Sequence, residues 1–108
     1  MQWLLYYIRR ISDTRLAEIA LEIANRHRQT IWQQIGQYDT SMNSDQLRGY
    51  IRSRTGFLVH AEVDSFLNQN SNKDPSLGER LRAQLMDSIL QLATQDIEKM
   101  RGRERHAA

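Results

Sequence analysis

Leu16-Ala17-Glu18-Ile19-Ala20-Leu21-Glu22-Ile23-Ala24-Asn25-Arg26-His27-Arg28-Gln29-Thr30-Ile31-Trp32-Gln33-Gln34-Ile35 decides the fold. Leu16, Ile19, Ala20, Ile23, Ala24, His27, Ile31, Ile35 and the following Tyr38 recur at three- and four-residue spacing, so they line one face of a helix. Glu18, Glu22, Arg26, Gln29 and Gln33 line the opposite face, and the pattern is that of a long amphipathic helix. Glu22 and Arg26 stand four apart in the order that favours an ion pair. Ser12-Asp13-Thr14 supplies side chains that can accept from the free N–H groups of a first turn. Gly36 and Tyr38-Asp39-Thr40-Ser41 end the periodic run.

Working outward, Ser41 or Ser44 is expected to cap a second helix with Leu47, Tyr50 and Ile51 facing inward. Its apolar residues do not stay on one side. Leu47, Tyr50, Ile51 and Leu58 cluster on a helical projection, whereas Val59, Val63, Phe66 and Leu67 lie about 100–200° further round. Either Gly56 breaks this segment into two short helices, or one helix of about 25 residues bends and meets different neighbours at each end; a lone interior glycine costs only about 1 kcal/mol. Asn68 to Asp74 form a polar loop. Pro75 suits a first helical position, and Ser76 and Glu79 have capping-box spacing. Leu77, Leu81, Leu85, Met86, Ile89, Leu90, Leu92, Ala93, Ile97 and Met100 then give an apolar face about half the helix circumference wide, which needs at least two neighbours. Gly102 marks the expected end.

Before the first long helix, Trp3, Leu4, Tyr7, Ile8 and Ile11 have helical spacing, while Leu5 and Tyr6 make the segment apolar on more than one side. A short helix is expected there. The whole is an all-α fold: a small bundle of three long helices, the middle one continuous or broken at Gly56, plus a short N-terminal helix. One domain spans 1–102, and 103–108 is expected to be a flexible basic tail.

Composition narrows the chemistry. The 108 residues hold one proline, five glycines and no cysteine, which excludes disulfides and thiolate chemistry and points to a reducing cytoplasm. No run approaches the ~20 apolar residues of a spanning helix. The charge of Arg9 and Arg10 follows the apolar run, the reverse of a secretory signal. A membrane-surface role is disfavoured by the shortness of that basic flank.

No Glu-x-x-His pair, Gly-x-Ser-x-Gly elbow, phosphate loop or dinucleotide fingerprint occurs. Neither catalytic residues, a metal site nor a cofactor is therefore expected. His60 and Asp64 lie one turn apart, but two ligands do not complete a site; a small-ligand site there is the weakest idea, and a surface pair the simpler one. His27 is expected to pack at the edge of the core.

Two constellations carry functional expectations. Trp3, Leu4, Tyr7 and Ile8 concentrate apolar and aromatic surface, the composition of interface anchors. They suggest a non-enzymatic interaction module that pairs with itself as a dimer or with another protein. The alternative is nucleic-acid or other polyanion binding: Arg48 and Arg52 lie one turn apart with Arg54 close by, and Lys99, Arg101, Arg103 and Arg105 form a basic C-terminal stretch. Thirteen arginines against two lysines fit that chemistry, while a net charge of only +2 argues against a broad basic footprint.

Overall fold

The computed structural model describes residues 11–36, 38, 40–70 and 74–107, with side chains as far as Arg103. Four helices follow one another: α1 (Asp13–Arg26), α2 (Arg28–Ile35), α3 (Ser44–Gln69) and α4 (Leu77–Ala107). Among the described residues there is no strand. The expected N-terminal helix, with Trp3, Leu4, Tyr7 and Ile8, lies outside the described residues.

Each helix starts where its local chemistry dictates. Ser12 stands in extended conformation and its hydroxyl accepts from the Arg15 N–H at 3.1 Å, closing the first turn of α1. At α3 the cap is Asn43, not Ser41 or Ser44: its side chain accepts from the Gln46 N–H at 2.8 Å and the Gln46 side chain accepts from the Asn43 N–H at 3.0 Å. That reciprocal box satisfies two otherwise free donors. Before α4, Asp74 Oδ1 accepts from both the backbone N–H and the hydroxyl of Ser76, at 2.9 and 2.7 Å. The Ser76 hydroxyl is thus engaged with a turn residue rather than with the α4 backbone.

α4 is the element on which the others pack. Leu77, Leu81, Leu85, Ile89, Ala93 and Ile97 are buried at every fourth position, and buried Leu90 and Leu92 widen the face. The row on α3 has the same spacing: Leu47, Ile51, Thr55, Val59 and Val63. Both rows follow i, i+4 spacing, and α3 runs along α4 with Thr55 against Met86 and Leu67 against Gly78. The spacing also explains the rotating apolar face of α3. Every fourth residue advances about 40° around a helix of 3.6 residues per turn, so the row slants across an unbroken helix. Gly56 lies inside α3, and the chain is continuous there.

The interruption is elsewhere. The first long helix predicted by periodicity divides at His27 (φ −103°, ψ 15°), whose N–H is shared between the Ile23 and Ala24 carbonyls at 3.2 Å each. No glycine or proline marks the place. Its neighbours are tied to two different helices: His27 Nε2 lies 2.8 Å from Glu62 of α3, and Arg28 makes two hydrogen bonds to Asp96 of α4. Beyond it, Ile31 and Ile35 of α2 are buried in the core, and α2 packs on both α3 and α4. At the far end α4 continues through Gly102, where the sequence pattern had placed its end.

Arg80 fixes the relative placement of three segments. Its guanidinium donates to Asp13 Oδ1 (2.6 and 3.2 Å), to Asp74 Oδ2 (3.1 Å) and to the Ile11 carbonyl (2.7 Å). It therefore joins the entry of α1 and the turn before α4. Together with the Arg28–Asp96 pair, it sets α1 alongside α4 in the same direction, while contacts of Thr55 with Met86 and Leu67 with Gly78 show α3 antiparallel to α4. The Asp74 side chain is only 8% exposed. Arg80→Gln should lower unfolding free energy by about 1–3 kcal/mol, because it leaves a buried carboxylate short of its cation. Chemical denaturation of both proteins measures the difference.

Candidate functional site

The outward face of α3 carries the most unusual surface. Phe57 is 87% exposed in the middle of a 26-residue helix. The buried row 47, 51, 55, 59, 63 points away from it, and no helix among the described residues covers the ring. Gly49 is exposed and Gly56 half-buried, each about 80–100° round the helix from Phe57. A Cβ built on either would meet nothing within 4 Å. Packing within the chain therefore gives no reason for glycine at two interior helical positions.

The expected arginine group occupies this helix. Arg48, Arg52 and Arg54 are all exposed. Arg54 lies over the Tyr50 ring, 5.3 Å from its centroid, a cation–π contact worth about 0.5–1 kcal/mol at such a site. The nearby acids lie beside histidines: Glu62 is 2.8 Å from His27 Nε2, and Asp64 is 3.2 Å from His60 Nε2. The His60–Asp64 pair is exposed on both sides, and no group of three or more metal-ligating side chains occurs among the described residues. Tyr50 Oη is buried without a hydrogen-bond partner, as is Gln34 Oε1.

The C-terminal basic residues are only partly brought into the same region. Because α3 and α4 run antiparallel, the first turns of α3 and the last turns of α4 share one end of the molecule. Arg101 is half-buried and Arg103 exposed; the side chain of Arg105 lies outside the described residues. Arg103 lines a shallow groove of about 380 Å³ with Lys99, Met100, Trp32 and the Arg28–Asp96 pair. Met100, expected on the apolar face of α4, is 36% exposed at its rim.

A second groove, of about 450 Å³, runs between α1 and α3. Both helices pack on α4 but scarcely on one another. Its floor is Ile11, Ile19, Ile23 and Phe66. Near its inner end the buried His27 Nε2 stands close to Glu62 without a well-directed hydrogen bond.

Periodicity alone did not single out Phe57, although the signal is present: it falls off the every-fourth-residue row. The contacts of His27, Arg28 and Arg80 are long-range and leave no local trace. The expected Glu22–Arg26 pair is not formed, and Arg15 and Glu18 pair instead at 3.0 Å. No helix among the described residues is long and apolar enough to cross a membrane. Comparison of the chain with protein-family models, curated proteins and solved structures finds no match.

The Arg28 hydrogen bonds hold the Asp96 carboxyl below the ordinary aspartate range, against the opposing effect of burial. A depressed folded value means that the contribution is complete above the unfolded pKa of about 3.9 and fades as pH falls through the folded value. Arg28 is 38% exposed, so solvent screens the pair. Asp96→Asn should destabilise by about 0.5–1 kcal/mol at neutral pH. Urea unfolding across a pH series should show that difference closing in acid.

Proposed function

We propose that this chain is a non-enzymatic helical interaction module that pairs with a second copy of itself through the outward face of α3. The observation that carries the reading is Phe57, a large aromatic ring left 87% exposed at the centre of a long helix. Aromatic residues are favoured anchors of interface cores. A twofold pair places the same patch on both subunits, so one exposed ring can meet its own copy.

Two further features support it. Glycine in a helix interior is about 0.8–1 kcal/mol less favourable than alanine. Gly49 and Gly56 carry that cost with open space where a Cβ would stand, and close approach of another helix supplies a reason for it. Charge is also divided along α3. Residues 44–56 hold three arginines against one aspartate, and residues 57–69 hold Glu62 and Asp64 with no lysine or arginine. An antiparallel crossing at Phe57 sets the basic half of one copy towards the acidic half of the other. The interface candidates Trp3, Leu4, Tyr7 and Ile8 are not needed for this pairing.

Sedimentation equilibrium of the full chain over a micromolar range tests the reading. The wild type should show a concentration-dependent dimer, and Phe57→Arg should weaken it at least roughly tenfold, a loss of about 1.4 kcal/mol. Gly56→Ala should raise monomer stability by about 1 kcal/mol while weakening the pair. A wild type that stays monomeric, or a Phe57→Arg protein that pairs as well as wild type, overturns it.

One observation favours polyanion binding as the second reading. Arg48 and Arg52 make no ion pair among the described residues, and they lie towards the molecular end that carries Arg101 and Arg103. Phosphate contacts through these residues would weaken steeply with salt, and a low-salt titration with single- and double-stranded nucleic acid distinguishes this from self-pairing.

A further inference from the structure

We propose that the groove between α2 and α4 binds single-stranded nucleic acid, with a base stacked on Trp32 and backbone phosphates held by Lys99 and Arg103. Trp32 of α2 is half-buried, and Lys99, Met100 and Arg103 of α4 line the same groove together with the Arg28–Asp96 pair. The lining thus holds three cations against one carboxylate. That carboxylate is already engaged, because Asp96 Oδ1 and Oδ2 accept from Arg28 at 2.6 and 3.1 Å. Lys99 and Arg103 are exposed and form no ion pair among the described residues. They stand four residues apart, one turn from each other on the same face of α4. Like charges at that spacing destabilise a helix slightly, and an anion lying across both removes the repulsion.

The side chains select the chemistry of the ligand. Unpaired positive charge beside an indole suits a ligand that is both anionic and planar. A nucleotide has both properties: its phosphate is gripped by lysine and arginine, and its base has a face that stacks on an aromatic ring. The Met100 thioether, 36% exposed at the rim, adds a polarizable contact for the same base. An acidic side chain would meet the cations but offers the indole nothing to stack on.

The shape selects a single strand. The groove is shallow and does not enclose a free nucleotide. Bases within a duplex are stacked on one another and present no free face to Trp32. A strand that continues past the groove meets further cations, since Arg101 lies on the same turns of α4 and Arg48 and Arg52 lie towards the same end of the molecule. No asparagine or glutamine among the described residues lines the groove, so adenine edges go unread and binding should tolerate many sequences. The inference rests on the polyanion reading and gives it a site, and it does not depend on pairing through Phe57.

Trp3 and Trp32 are the two tryptophans of the chain, so full-length Trp3→Phe leaves Trp32 as the single reporter. A short oligothymidylate at low salt should quench Trp32 emission over the same concentrations that raise the anisotropy of the labelled strand. Inorganic polyphosphate and poly-glutamate should leave the emission unchanged, and a duplex of equal length should bind several-fold more weakly. Lys99→Gln with Arg103→Gln alters exposed positions only; it should weaken strand binding roughly tenfold and lower the salt slope by about 1.4, the value for two single-strand phosphate contacts. Trp32→Leu should weaken binding roughly tenfold with the salt slope unchanged; should it unfold, the quenching and the charge variant decide. No strand binding at low salt overturns the polyanion reading and the groove together. Binding that leaves Trp32 emission unchanged, or that is lost in Arg48→Gln with Arg52→Gln but kept in the Lys99 and Arg103 variant, preserves the polyanion reading and overturns the groove. Equal binding of duplex, polyphosphate or poly-glutamate overturns the assignment to a single strand.

Discussion

Everything else in the molecule depends on the apolar face of α4. A helix with buried residues at 77, 81, 85, 89, 93 and 97, widened by Leu90 and Leu92, cannot be covered by one neighbour. α1 packs along it in the same direction, α3 in the opposite one, and α2 near its C-terminal half. Burying one leucine side chain contributes about 1.5–3 kcal/mol. A surface pair such as Arg15–Glu18 contributes a few tenths. The shared apolar face therefore decides the architecture, and the polar contacts decide where along it each helix stops.

That division of labour accounts for the two surfaces of interest. Arg80 holds the start of α1 beside the start of α4, and the Arg28–Asp96 bonds hold α2 beside the later turns of α4. With both ends pinned to the same helix, α1 and α3 are kept from closing on each other, and a groove remains between them. α3 packs on α4 through one slanted row of its side chains. Phe57 stands on the opposite side of α3, which no described helix covers, with Gly49 and Gly56 roughly a quarter-turn away.

Much of this was legible in the sequence, for a physical reason: helical spacing is a local signal. The apolar face of 16–35, the wide face of 77–97 and the Ser12 cap could be read directly. The slanted row of α3 was visible too, as an apolar face that rotated, but spacing could not separate a broken helix from a continuous one whose buried row winds around it. Only the contact with α4 makes that distinction. The interruption at His27 was not legible, because the contacts that flank it, with Glu62 and Asp96, are remote in sequence. The same holds for Arg80, whose acceptors Ile11 and Asp13 lie nearly seventy residues away. Among the candidate functional residues, Arg48, Arg52 and Arg54 are where a surface helix face was expected; Phe57 was missed because an apolar residue in an apolar run invites assignment to the core.

A short chain whose helices share one central partner should unfold as a unit, with its last protection on that partner. Native-state amide hydrogen exchange on the full chain measures this directly. The slowest amides should fall in the middle of α4, over residues 81–93, with α1 and α3 losing their most protected amides in the same global opening. Protection in α1 or α3 that outlasts the middle of α4, or exchange there as fast as in its final turns, would contradict a fold organised on α4.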